Sequence, residues 1–238
     1  MSLNISISAE PIFHLGNFAF TNSMLVTSLV SVGLSLLAYK FYAAVKSGKK
    51  SGFRLFIQTI VESLYEFVQS ITPQQAGRFF PLIATIFFFI ILSNWAGLLP
   101  GAETITLHGA PLIRGGTADL NTTLALALFA VFSVQFYGYK ALGLKYFTKF
   151  LNFSNPINFF VGILDLLSEF SRVISFAFRL FGNIFAGEVL LAVIAFLVPL
   201  VAPLPFLGLE IFVGFIQALV FATLTLVFIN IATISEHN

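Results

Sequence analysis

The sequence predicts an all-α polytopic membrane protein. It should hold about five membrane helices, a long tilted hairpin formed by the last two, and one amphipathic interfacial helix. Three observations carry this. Only 9% of the 238 residues are charged and 58% are hydrophobic, whereas a soluble domain carries roughly 25% charged and 45–50% apolar residues. Several apolar runs reach the ~20 residues that a bilayer crossing needs. Basic residues gather in two of the loops between those runs, the asymmetry that sets orientation in a membrane. So few polar groups cannot cover a water-facing surface, which excludes a soluble enzyme domain, a disordered tail and a nucleic-acid binder.

The chain reads as a single membrane domain over residues 1–238. Residues 1–21 carry no basic residue, the first being Lys40. A secretory signal needs a charged start, so this stretch is expected to remain as an external N-terminus. Residues 22–40 (NSMLVTSLVSVGLSLLAYK) form the first span. Its Ser and Thr residues are tolerated by bonding back to carbonyls one turn earlier. In residues 55–71 (LFIQTIVESLYEFVQSI), Gln58, Thr59, Glu62, Ser63, Glu66, Gln69 and Ser70 recur at helical spacing on an apolar background. This is an amphipathic helix, lying at the cytoplasmic interface or against a partner helix; a tilted partial span is the alternative.

The second span is 79–99, closed by Pro100-Gly101, and the third is 121–139. A fourth stretch runs over 157–198 and a fifth over 206–234, with Pro199, Pro203 and Pro205 breaking the chain between them. Lys40, Lys46, Lys49, Lys50 and Arg54 follow the first span, and Lys140, Lys145 and Lys149 follow the third. Both loops are therefore cytoplasmic. The N-terminus then lies outside, the C-terminus is cytoplasmic, and loop 100–118, with Arg114 as its only base, is external.

Other chemistries find no footing. There is no Cys, and His14, His108 and His237 stand far apart with no metal-ligand spacing. No Gly-rich phosphate loop precedes a helix, and no cofactor is implied. With no His inside a span, haem ligation has no ligand. A net charge of +2 is too small to steer partners. The absence of an internal repeat weakens an inverted-repeat transporter.

The fourth stretch is too long for one upright crossing. As a helix, residues 157–198 would extend about 60 Å, against a hydrocarbon core of about 30 Å. It must tilt or run partly along the membrane. It carries Asp165, Glu169, Arg172, Arg179 and Glu188, and an Arg at a helix centre costs roughly 2.5–3.5 kcal/mol in lipid. At about 100° per residue, Asp165, Ser168, Arg172, Ser175 and Asn183 fall within roughly 40° of Arg179, and Glu188 points the opposite way. Arg172 either snorkels or pairs with Asp165 or Glu169. Glu169 lies off the stripe. Ser168 and Ser175 either serve a function or bond only to backbone. In the fifth stretch, Glu210 and Gln217 share a face. If the last two helices form an antiparallel hairpin, Glu188 and Glu210 stand at similar distances from its turn. They then face each other or share a pocket.

The segment FRLFGNIFAGE (178–188) closely resembles the signature of subunit a of F-type ATP synthases, the stator subunit of the proton channel. The resemblance continues in IQALVFATLTLVFI (216–229), SNWAGLLPG (93–101) and ADLNTTLALAL (118–128), and AEPIFHLGNFAFTNS (9–23) looks like bacterial members. It implies a leaning helical hairpin plus three more upright helices. It places the family's essential arginine on Arg179 and a neighbouring polar residue on Asn183. Glu188 is then the acid of the outer half-channel, with Gln217 opposite the arginine. Asp119 is the external-loop acid, and Asp165, Ser168 and Ser175 line the inner half-channel. Many bacterial members have His where this chain has Glu210, so the pair here is Glu/Glu; two close carboxylates share a proton because both cannot ionise cheaply.

The resemblance also implies a non-catalytic subunit in a bacterial cytoplasmic membrane. Its partners would be the c-subunit ring, the peripheral-stalk b subunits, other ATP synthase subunits and membrane lipid. Two rival readings stay beside it. A stand-alone ion channel or secondary transporter shares the buried charges, and a non-conducting membrane anchor shares the hydropathy but not the stripe.

Overall fold

The computed structural model describes residues 9–15, 18–48, 51–99, 106–107, 110–111, 113–148, 150, 155–198 and 201–234. Lys49, Lys50, Pro100, Gly101, His108, Lys149, Pro199 and His237 lie outside the described residues. A short antiparallel hairpin comes first, β1 (Pro11–Leu15) and β2 (Phe18–Thr21). It leads into α1 (Asn22–Lys46), α2 (Gly52–Ile71) and α3 (Ala76–Gly97). A two-residue pair, β3 (Thr106–Leu107) with β4 (Ala110–Pro111), and a single 3-10 turn at Gly116–Ala118 precede α4 (Leu120–Leu142). The chain ends in the short α5 (Lys145–Thr148), the long α6 (Pro156–Leu197) and α7 (Pro203–Thr233).

Five of these helices, α1, α3, α4, α6 and α7, are long and apolar enough to cross a membrane. The chain is an all-α polytopic membrane protein. Three helices, α1, α2 and α4, begin on a side-chain cap. Thr21 accepts from the Met24 N–H at 3.3 Å, and Ser51 accepts from the Arg54 N–H at 3.2 Å. Asp119 accepts from the Asn121 N–H at 3.3 Å. Pro156 and Pro203 stand in the first turns of α6 and α7, where a missing N–H costs nothing. Gly143 ends α4 at φ 64, a conformation that favours glycine.

The helices outrun the apolar segments because hydropathy marks only the lipid-facing part. Thus α1 continues to Lys46 and α2 starts at Gly52. Span two begins earlier than expected, with Pro81 inside α3 near its start, where one backbone bond is lost. The hydroxyl ladder in α1 forms as its sequence suggests: Thr27 donates to the Ser23 carbonyl at 2.9 Å, Ser31 to Thr27 at 2.8 Å and Ser35 to Ser31 at 2.8 Å. The N-terminal β-hairpin, by contrast, was not anticipated; its strands are too short to stand out against the helical pattern.

The core forms where α3, α4, α6 and α7 meet, with Ile83, Ile90, Leu180, Leu226 and Ile229 almost fully buried. Small residues let the backbones close up. Ala127, Ala130, Ala177, Ala218 and Ala222 are buried along these contacts, the close packing that association of apolar helices relies on in lipid. α1 stands at the edge, and only Asn22, Ser23 and Val26 of it are buried.

Candidate functional site

α6 and α7 form the antiparallel hairpin. Arg172 stacks over the Phe228 ring at 3.8 Å, Phe176 meets Phe221 at 4.9 Å, and Asn183 donates to Gln217 at 2.7 Å. Gly187 meets Glu210 nearest the turn. Moving away from the turn on one helix therefore moves away from it on the other, as a constant register requires.

One side of α6 is left uncovered by the described residues. Arg179 is exposed and donates to the Ser175 hydroxyl at 3.2 Å. Ser168, Ser175, Gly182, Asn183 and Ala186 are exposed on the same side. The predicted stripe is thus real from Ser168 to Asn183, but Asp165 is half-buried. Arg172 leaves it: its guanidinium pairs with Glu169 at 2.7 Å, which settles its partner as Glu169 and makes it a structural ion pair. Behind Arg179, Asn183 reaches inward to Gln217, which is 4% exposed. The Gln217 Nε2 atom is buried and finds no acceptor among the described residues.

A second polar cluster gathers the helix ends nearest the hairpin turn. The 3-10 turn at Gly116–Ala118 packs against α1, α3, α4 and α6. Asn94 of α3 accepts from Thr117 and donates to the Gly214 carbonyl of α7 at 2.9 Å. Trp95 donates to the Ile211 carbonyl at 3.1 Å. Asn22 donates to the Pro111 carbonyl at 3.0 Å. Asp119, 4% exposed, accepts from the Ser23 hydroxyl at 2.9 Å and from Asn121 and Thr122 at 3.4 Å, besides capping α4. A carboxylate with this many donors is fixed in place, the geometry of an anchor.

Glu188 and Glu210 both sit at this end but take different neighbours. The Glu210 carboxyl lies on the Gly187 backbone, in the space a Cβ there would fill, and is 6% exposed. Glu188 turns toward the loop that precedes α4, 3.6 Å from the Arg114 guanidinium. Sequence reasoning gave Arg114, Asn94, Thr117 and Ser23 no role. They lie 23–120 residues from their partners, several in short irregular segments, where periodicity carries no signal.

At the opposite end, α5 folds back on α4. Tyr146 is buried against Gly138 and donates to the Gln135 side chain at 2.8 Å. Burial above all, then the Glu169 carboxylate, pushes its hydroxyl up to about 12, with Arg172 opposing. The family model described as ATP synthase A chain matches residues 23–230.

Proposed function

This chain belongs to the ATP synthase A chain family, a proton-translocating membrane subunit of that complex, and from that premise we propose a specific proton route. The subunit works with other subunits and does no catalysis of its own. Two offset half-channels would serve carboxylates on a rotating c-subunit ring. Protons from outside reach Glu188 and then Glu210, and pass to a ring carboxylate. The neutral, protonated carboxyl enters lipid at far lower cost than an anion. After a near-full turn it meets the inner route along Asp165, Ser168 and Ser175 and releases its proton to the cytoplasm.

The observation that carries this reading is the exposed Arg179, flanked by Gly182 and Ala186 on a face the described residues leave uncovered. Small residues admit a partner helix close to the guanidinium. Arg stays charged in essentially any environment. It would favour the ionised ring carboxylate and repel a proton passing directly between the routes. Each proton crossing 100 mV releases roughly 2.3 kcal/mol, which a leak would waste. Asn183 and Gln217 sit behind Arg179 as neutral groups that orient it without adding charge. Outside protons enter by way of the loop near Asp119, whose carboxylate also ties that loop to α1 and α4. The subunit lies in a bacterial cytoplasmic membrane with its N-terminus outside and its C-terminus cytoplasmic, and peripheral-stalk b subunits hold it against rotation.

Arg179→Ala should abolish coupled proton transport in inverted vesicles while the complex still assembles. Normal ATP-driven proton pumping by an assembled Arg179→Ala complex would overturn the reading.

A further inference from the structure

We propose that Arg114 of the external loop is a positioning residue for the outer acid. It holds the Glu188 carboxylate against the loop and thereby sets the outside pH at which the route loads. The inference rests on the proton route above and deepens it.

Three observations converge. First, Arg114 and Glu188 form an ion pair at 3.6 Å in which both side chains are largely buried, 10% and 18% exposed. Attraction between charges strengthens as water is excluded. Second, the loop is built to reach this acid. A Cβ on Gly97 would stand 2.7 Å from the Gly115 Cα, and a Cβ on Gly115 would stand 2.8 Å from Glu188 Oε1. Two glycines therefore let the loop backbone lie on α3 and touch the carboxylate. Third, the guanidinium is oriented from its own segment, since Arg114 donates to the Ala118 carbonyl at 3.3 Å. The 3-10 turn that carries this carbonyl is wedged among four helices, so the cation is fixed to the scaffold.

Among the described residues, the elements packed here bring few charged groups to this end: the loop gives Arg114, the start of α4 gives Asp119, α7 gives Glu210, and Glu10 sits beside the start of α1. On α6 itself the nearest is Arg179, on the opposite side of the helix. Asp119 is occupied by its own donors. Arg114 thus offsets one of the two route carboxylates. The position that this contact gives the Glu188 carboxylate governs how an incoming proton is handed onward to Glu210.

The test uses the whole ATP synthase in proteoliposomes, with proton-driven ATP synthesis followed against outside pH at constant membrane potential. Arg114→Gln should move the half-maximal point by about one pH unit. Arg114→Lys, which keeps the charge, should restore most of the wild-type profile. Gly115→Ala, which crowds Glu188 away from Arg114 without altering any charge, should shift the profile in the same direction as Arg114→Gln. It decides the matter even if the Gln variant is lost during assembly. An unshifted profile in Gly115→Ala, or in an assembled Arg114→Gln with only lowered amplitude, overturns the proposal. Glu188→Gln serves as the control: if it transports like wild type, the proton route itself fails. If it is inactive while the Arg114 and Gly115 profiles stay put, only the inference about Arg114 fails.

Discussion

At the scale of single residues, the absence of a side chain at Gly187 matters as much as any charge. The Glu210 carboxyl occupies the place where a Cβ on Gly187 would stand. Because that carboxyl ends a flexible side chain, Gly187→Ala should leave the helix pair intact and move the acid. A displacement near 1 Å in a transfer geometry costs up to roughly 100-fold. Gly187→Ala should therefore slow proton transport between about 10- and 100-fold, with assembly near normal. Transport at the wild-type rate would show that Glu210 is not held where it works. The stripe around Arg179 was legible in the sequence because helical periodicity alone fixes which side chains share a side. The resting place of Glu210 on Gly187 and the pairing of Glu188 with Arg114 were not. Both depend on which residue of a distant segment arrives opposite, and no local pattern encodes that.

At the scale of elements, the spans were legible because a lipid-facing helix must satisfy its backbone internally and present an unbroken apolar surface. Their ends were less so, since caps and snorkelling lysines extend helices beyond the apolar run. The short α5 was invisible to such reasoning. Four residues make too small a helix to show periodicity, and it is docked through Tyr146 and through Phe147, whose ring meets Tyr139 at 5.7 Å. Tyr146 packs on Gly138, bonds to Gln135, and is pushed up to about 12. Its value is raised above the ~10 of an unfolded chain. The docked turn is therefore fully stabilised below about pH 10. That contribution is lost progressively as pH rises through about 12. In purified, detergent-solubilised subunit, tyrosinate absorbance should show a late step near pH 12 that Tyr146→Phe removes. Loss of the hydrogen bond should also loosen the turn by about 1 kcal/mol, read as faster proteolysis after α4. A late step that survives in Tyr146→Phe belongs to another tyrosine and contradicts the assignment.

At the scale of the whole molecule, the packing divides the helix ends into two sets. The start of α1, the end of α3, the start of α4 and the hairpin turn of α6 and α7 share one set, which holds Asp119, Glu188 and Glu210. The opposite set holds Arg78 against Phe79 and Tyr137, Tyr146, and the Glu169–Arg172 pair. Alternating ends must separate in this way in any chain that crosses five times. Arg179 stands between the two sets, on the side of the hairpin that none of the described helices covers. An exposed cation in that position is costly in lipid, so a partner or water must meet it. The absence of cysteine makes this directly measurable. Single cysteines at Gly182 and Ala186, both exposed beside Arg179, should form disulfides with a cysteine placed on the outer helix of a co-expressed ring subunit. Gly182 has open space where a Cβ would go, so that substitution should not disturb the fold. Cysteines at Leu180 and Ile184, buried at 0% and 5%, point into the bundle and should stay unlinked. Equal cross-linking from the exposed and buried positions would mean the hairpin is not rigid in the complex. Linkage from neither exposed position would mean that something other than the ring covers Arg179, and the route through it would have to be abandoned.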